Sequence, residues 1–225
     1  MKTIVVGDIH GCFDEFQVLL KKCNRQPEDQ IISVGDLVDR GPKPKEVVQF
    51  FMNDEHAHVI LGNHEDKHIR IRKGELEASL SQVICKAQLG DFYDEAVDYF
   101  ESFPLYLQAH DCLIVHAGFV PNTPLEEQPR NAFLRGRMPW MKSHYDKSHG
   151  GWWEHYKGQK TIIYGHSSHP FVHIQNNTYG LDTGCCHGKT LSALILPERT
   201  IVEVNSDKDH WTEIRSNWIE NNRQL

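Results

Sequence analysis

Three short apolar runs in the first third of the chain each lead into a glycine and a metal-ligand type of side chain. Thr3-Ile4-Val5-Val6 runs into Gly7-Asp8-Ile9-His10-Gly11. Ile31-Ile32-Ser33-Val34 runs into Gly35-Asp36-Leu37-Val38-Asp39-Arg40-Gly41, and Val59-Ile60-Leu61 into Gly62-Asn63-His64-Glu65. Short apolar runs bounded by turn residues read as buried strands. Between them Phe13, Phe16, Leu20 and Cys23 recur at helical spacing, with Asp14 and Glu15 in the first turn, where the helix dipole favours them. Pro42 and Pro44 open a second helix with Val47, Phe50 and Phe51 on its inner face. This β-α-β-α-β order predicts an α/β fold with a parallel sheet flanked by helices. Charged side chains on loops at the carboxyl ends of such strands are placed for chemistry rather than packing.

Further along, Leu76, Leu80, Val83, Ile84 and Ala87, then Phe92, Ala96 and Phe100, recur at helical spacing, and Pro104 ends the run. They predict a small helical cap inserted over about residues 66–110, with Gly90-Asp91 between two helices. Strand signals return at 112–115, 161–164, 171–174, 178–181, 191–196 and 200–204. Their short polar connections predict hairpins and a mixed or antiparallel second sheet. Residues 121–158 read as irregular, and loops of that length are usually functional. A single domain over 1–225 is the expectation.

Net charge bears on partners. At −7 with histidine neutral, the chain is a poor candidate for non-specific nucleic-acid binding, and no stable nucleic-acid partner is expected. No run is long and apolar enough to span a membrane, and the amino terminus has no signal-peptide layout, so no membrane partner and a cytoplasmic location are expected. The six cysteines are scattered and read as reduced thiols.

The ligand-type residues gather at strand ends. Asp8, His10, Asp36, Asn63 and His64 are joined by His116 in Val115-His116-Ala117-Gly118 and by His166 in Tyr164-Gly165-His166. Each alone is a weak signal, but recurrence beside glycines at five strand ends points to a metal site. Oxygen and imidazole donors suit Mn, Fe or Zn better than copper(I). One carboxylate can bridge two ions, and paired metals serve phosphoester hydrolysis.

Gly-Asp-Ile-His-Gly (7–11), Gly-Asp-Leu-Val-Asp-Arg-Gly (35–41), Gly-Asn-His-Glu (62–65), Val-His-Ala-Gly (115–118) and Gly-His (165–166) resemble the calcineurin-like metallophosphoesterases, above all the phosphoprotein-phosphatase branch. The resemblance implies two packed, mainly mixed β-sheets flanked by helices, with two divalent metals, Mn²⁺ first and Fe or Zn as alternatives, at the strand ends. It implies that Asp8 and His10 hold one metal, that Asn63, His116 and His166 hold the other, and that Asp36 bridges them. It also implies His64 as general acid with Asp39 as its partner, and Arg40 on the phosphoryl oxygens. A second phosphate-binding arginine matches Arg135 in Phe133-Leu134-Arg135-Gly136-Arg137, with Arg137 as the alternative. A planar guanidinium clamps two phosphoryl oxygens at once, which lysine cannot.

Leu181-Asp182-Thr183-Gly184-Cys185-Cys186-His187-Gly188 departs from the eukaryotic protein phosphatases and resembles bacterial and phage members. Asp182 and Cys185 could touch the site, with a structural turn the favoured reading. His169 is not counted as a ligand, because Gly165-His166-Ser167-Ser168-His169 lacks the Gly-His-x-His spacing. His144, His149, His155 and His187 read as surface or loop residues, and Trp140, Trp152 and Trp153 as packing, with base stacking the minority reading. The leading expectation is an enzyme in which water held between the metals attacks a phosphomonoester, a phosphopeptide or small phosphoester. Hydrolysis of dinucleoside polyphosphates is the alternative, and a non-catalytic phosphate- or metal-binding module ranks third.

Overall fold

The structure, a computed structural model, describes residues 1–141 and 150–222, so His144 and His149 lie outside the described residues. Strand β1 (Thr3–Val6) pairs in parallel with β2 (Gln30–Ser33), and β2 with β3 (Ala57–Val59). Val6 stands opposite Ser33, and Ser33 opposite Val59, so the three carboxyl ends lie level. Helices α1 (Phe13–Lys22) and α2 (Pro44–Asn53) make the two crossovers.

On the other edge of β1, β9 (Thr190–Leu196) runs antiparallel and β10 (Thr200–Asn205) folds back onto it. This corrects the expectation that all later strands build the second sheet. Leu191 and Ala193 face the helices, whereas Leu194 and Leu196 face the other sheet. A strand apolar on both faces fits between two layers, beside β1, and not on a solvated edge.

The second sheet has the order β4-β5-β6-β8-β7. Strands β5 (Cys112–Val115), β6 (Thr161–Tyr164) and β8 (Thr178–Gly180) are parallel, with β4 (Tyr106–Ala109) and β7 (His173–Gln175) antiparallel at the edges. Strand β4 is not legible in the sequence, where 106–110 reads as the end of the helical segment. That segment contains α3 (Asn63–Arg72), α4 (Leu80–Leu89) and α5 (Tyr93–Glu101). Cys85, Leu89, Ala96 and Phe100 of α4 and α5 share one apolar cluster with Phe16 and Phe51 of α1 and α2.

Three apolar layers result. The helix-side cluster takes Ile4 and Val6 from β1, and the layer between the sheets takes Val5 from the same strand. That middle layer also holds Ile32, Val34, Ile60, Ile114, Ile163 and Leu194. A third cluster covers the outer face of the second sheet, where Leu113, Val115, Ile162 and Tyr164 meet Phe133 of α6 (Arg130–Arg135) and Trp152 of α7 (Trp152–His155). The fold is therefore an α/β sandwich of two mixed five-stranded sheets flanked by helices. A last helix, α8 (His210–Asn222), lies against α4 and the turn at 185–187. All six cysteines are unpaired and buried, and no helix among the described residues is long and apolar enough to cross a membrane.

Candidate metal centre

The loop after β1 carries Asp8 and His10, and the loop after β2 carries Asp36, Asp39 and Arg40. Helix α3 begins with Asn63 and His64, His116 follows β5, and His166 follows β6. The fold brings all of these together. Ligand atoms of His10, Asp36 and His64 lie within 4.8 Å of one another, as do those of Asp36, His116 and His166. Asp36 belongs to both groups. Asn63 Oδ1 lies 2.9 Å from His116 Nε2 and 2.5 Å from His166 Nδ1. Asp8 is outside both triads, but its carboxylate accepts the His166 backbone N–H at 3.0 and 3.2 Å.

Backbone geometry explains the residue types on these loops. Five site residues, His10, Asp36, Asp39, Arg40 and His166, have φ between 46 and 69°. This left-handed region is unfavourable for side chains other than glycine and the short polar ones, and such strain concentrates at functional sites. Two glycines allow the loops to close. A Cβ on Gly62 would sit 2.3 Å from Asp36 Oδ1, and one on Gly165 would sit 2.0 Å from Asp8 Oδ1. The first turn of α3 adds a donor, since the His64 N–H reaches Asp36 Oδ1 at 2.9 Å and the helix N-terminus favours an anion there.

The donor chemistry can be tested without an ion. His116 Nδ1 lies 2.8 Å from the Val34 carbonyl oxygen, which can only accept, so this nitrogen carries the hydrogen. Burial holds His116 neutral by lowering its pKa, so Nε2 presents a lone pair. That lone pair faces Asn63 Oδ1 and, at 3.4 Å, Asp36 Oδ1. Acceptors therefore converge on acceptors, an arrangement that a cation resolves. His10 repeats the design, with Nδ1–H on the Val38 carbonyl at 2.8 Å, Nε2 directed into the site, and a pKa lowered first by burial. Holding one imidazole nitrogen on a carbonyl and freeing the other is how histidine ligands are oriented.

The carboxylates agree. Burial first, then the charges of Asp182 and Asp36, push Asp8 well above the usual carboxylate range. Burial likewise lifts Asp182 to about 6. Burial also acts against Asp36, but the imidazoles of His116, His64, His10 and His166 hold its pKa below the ordinary value. Buried carboxylates crowded in this way mark a functional site. The residues present fit a divalent-metal centre.

Around this centre stand the other expected residues. Asp39 Oδ2 lies 2.5 Å from His64 Nδ1. Arg40 donates to His10 Nε2 and His64 Nε2, each at 3.1 Å. Arg135 lines a cavity of about 420 Å³ beside His166, with Met141, Trp152 and Trp153 among its walls, whereas Arg137 is exposed. Arg135 and Arg130 donate to the two oxygens of Asp66 at 3.1 and 3.0 Å. Trp152 is buried, donating its indole N–H to the Ala117 carbonyl at 3.0 Å, and Trp153 stacks on Tyr164. Trp140, His155 and His187 are exposed. His169 stacks on His173 at 4.4 Å, apart from the metal-ligand groups.

Sequence reasoning passed over several residues. Glu65 accepts the backbone N–H groups of Asp36, Leu37 and Val38 at 3.0, 2.8 and 3.3 Å, which ties α3 to the loop after β2. His68 and Gln82 both donate to Asp39. The available signal was the i, i+4 spacing of His64 and His68, which puts both on one helix face. Asp182 does serve a turn, accepting the Gly184 N–H at 3.0 Å, and its charge also bears on Asp8.

The family model described as calcineurin-like phosphoesterase matches residues 1–196. The chain belongs to that family. As a calcineurin-like phosphoesterase it is a metal-dependent hydrolase. Among curated proteins, it is 28% identical to a bis(5'-nucleosyl)-tetraphosphatase PrpE [asymmetrical] of Oceanobacillus iheyensis, over 92% of this chain and 93% of that one. A protein of the same name from Anoxybacillus flavithermus is 30% identical, over 93% and 96%. A symmetrical bis(5'-nucleosyl)-tetraphosphatase of Vibrio parahaemolyticus is 26% identical, over 86% and 95%. Among solved structures, one provisionally described as a diadenosine tetraphosphatase superposes with a TM-score of 0.74 at 27% identity, covering 91% and 93%. A protein serine/threonine phosphatase of Saccharomyces cerevisiae, with a TM-score of 0.63 at 16% identity over 92% and 80%, shares the fold.

Proposed function

We propose that this calcineurin-like phosphoesterase hydrolyses dinucleoside polyphosphates. This reverses the order of the two leading expectations from sequence, which put phosphomonoesters and phosphopeptides first. The observation that carries it is the agreement of relatives matched over nearly their whole length, all named bis(5'-nucleosyl)-tetraphosphatases. The protein phosphatases it resembles share the fold at much lower identity. The cavity beside His166 offers an aromatic and apolar wall next to Arg135, which suits a nucleoside attached to a phosphate chain.

In this reading Asp8, His10 and Asp36 hold one divalent cation, and Asp36, Asn63, His116 and His166 hold the other. Mn²⁺ is the foremost candidate, with Fe and Zn matching the same donors. When bound, such ions act as Lewis acids on phosphoryl oxygens and lower the pKa of water. The protein supplies the rest. Arg40 and Arg135 bind phosphoryl oxygens and stabilise charge that grows as the phosphoryl group transfers. With Arg40 turned from His64 Nε2 to the phosphoryl oxygens and a proton taken up on that nitrogen, His64, oriented by Asp39, hands this proton to the departing oxygen. Asp66 accepts a hydrogen bond from the Arg135 guanidinium at 3.1 Å.

The test is a side-by-side measurement of kcat/KM with diadenosine tetraphosphate, a phosphopeptide and 3′- and 5′-nucleotides, in the presence of Mn²⁺. The dinucleotide should exceed all the monoesters by at least ~10²-fold, the scale of one well-made binding contact set. A monoester or phosphopeptide turned over faster than the dinucleotide refutes the reading. Product analysis, ADP alone against ATP with AMP, assigns the cleavage as symmetrical or asymmetrical.

A further inference from the structure

The Asp39 carboxylate is held from more sides than a partner of His64 alone requires. We propose that His68 and Gln82 are positioning residues that lock Asp39, and through it keep the His64 imidazole aligned with the departing oxygen. The proposal rests on the reading of His64 as proton donor.

Three side chains from two helices meet at this carboxylate. His64 Nδ1 lies 2.5 Å from Oδ2, and His68 Nε2 lies 2.9 Å from Oδ1. His68 stands one helical turn beyond His64 on α3, so both rings reach Asp39 from one face. Gln82 of α4 adds its amide N–H to Oδ2. Asp39 and His68 are 0% exposed, Gln82 is 2% and His64 is 3%, so water cannot substitute for a missing donor.

The hydrogen positions follow from the partners. The buried carboxylate stays ionised despite its burial, held well below the usual range by the hydrogen bonds from His64 and His68, so it can only accept. Both facing imidazole nitrogens therefore carry hydrogens. The other nitrogen of His68 lies 3.4 Å from the Tyr93 hydroxyl of α5, a group that can donate or accept, so the ring stays held at both nitrogens while Nε2–H faces Asp39. The Gln82 amide is oriented in the same way: Ser79 Oγ donates to its Oε1 at 2.5 Å, which turns the NH₂ group toward Asp39.

A carboxylate with one donor turns readily about its last torsion, which is broad and two-fold. With donors on both oxygens from α3 and α4 it cannot turn, and the imidazole bonded to it keeps one plane. Misplacement of a catalytic group by about 1 Å can cost ~10²-fold. Cys85 Sγ also comes within 4.8 Å of Asp39 and His68, a grouping that could suggest a third metal. Here, however, donors face acceptors throughout, in contrast to the acceptor-on-acceptor crowding around Asp36.

The experiment compares His68→Ala, His68→Gln and Gln82→Met with His64→Asn and wild type. It measures kcat and KM for phenyl and p-nitrophenyl phosphate, metal content, and the imidazole nitrogen NMR spectrum. The phenolate is the more basic leaving group and needs more of the proton. His68→Ala should lower kcat for the phenyl ester ~10-fold more than for the nitrophenyl ester, with KM and metal content unchanged. His68→Gln, which keeps an N–H within reach of Oδ1, should recover most of the loss, and Gln82→Met should show the same selectivity more weakly. The spectrum should show a hydrogen on His68 Nε2. Should His68→Ala fail to fold, the Gln variant, the Gln82 variant and the wild-type spectrum carry the test. Equal losses on both esters in the His68 and Gln82 variants, while His64→Asn still discriminates between them, overturn the proposal and leave the role of His64 intact. A His68 with no hydrogen on Nε2 overturns it too. His64→Asn that slows both esters alike removes the acid reading, and this proposal with it.

Discussion

Asp36 is the residue on which the two halves of the donor set meet, so its replacement should be the most damaging single change. Asp36→Asn removes a charge that faces four imidazoles and belongs to both triads. Activity should fall by at least ~10³-fold, and bound metal, read by elemental analysis, should fall with it, whereas Asn63→Ala should retain part of both. The arginines separate binding of substrate from binding of metal. Arg40→Ala and Arg135→Ala should each lose ~10²–10³-fold in kcat/KM at unchanged metal content, the scale of one preorganised donor to a developing oxyanion. Arg137→Ala should be silent, because Arg137 is exposed while Arg135 lines the cavity. A damaging Arg137→Ala beside a harmless Arg135→Ala would move the phosphate clamp by two positions.

Helix α3 is the element that couples fold to chemistry. Its buried residues are Asn63, His64, Glu65, Asp66, His68 and Ile69, almost all polar. The polar ones are satisfied by partners on neighbouring loops and helices rather than by apolar packing. Glu65 is the strongest tie, since its loss leaves three buried backbone amides of the loop after β2 without acceptors. An unsatisfied buried amide costs ~1–3 kcal/mol, so Glu65→Ala should destabilise by at least ~3 kcal/mol. The thermal midpoint should then drop by roughly 5–10 °C, measured by calorimetry. The same inward polarity explains what the sequence concealed. Strands β1, β2 and β5 were legible because they are buried on both faces and so form continuous apolar runs. The site motifs were legible because glycines and ligand types recur at strand ends. α3 carries no apolar period, so nothing in its hydropathy marks it as a helix. α8 does carry an apolar period, with half-buried Trp211, Ile214, Trp218 and Ile219 at helical spacing, but the sequence reading passed over it. The bonds of His68 and Gln82 to Asp39 were hidden for another reason: Asp39 is distant in sequence and met only through the fold, although the His64/His68 spacing did place those two on one helix face.

At the scale of the whole molecule, metal binding and folding are linked. The donors come from loops of both sheets and are together only in the folded chain, so a cation that binds there stabilises the fold by mass action. At a free concentration of about 100 times Kd the gain is ~2.7 kcal/mol. The thermal midpoint should accordingly rise by roughly 5–10 °C on titration of Mn²⁺ into chelator-treated protein, and turnover should return with the same midpoint concentration. A midpoint temperature indifferent to Mn²⁺ would contradict the metal reading of these loops.

The layer between the sheets has a further effect, as a gauge block. Val34 precedes Asp36 by two residues on one sheet, and Ile114 precedes His116 by two on the other, and both belong to that layer. Asp8, His10, Asp36 and Asn63 ride on one sheet, and His116 and His166 on the other. The distance across the donor set is thus set by the thickness of an aliphatic filling that touches no substrate. Thinning it by one methylene, as in Ile163→Val, should cost only ~0.5–1.5 kcal/mol of stability. If the sheets settle closer, the two halves of the centre shift together, and metal affinity becomes a ruler for packing some distance away.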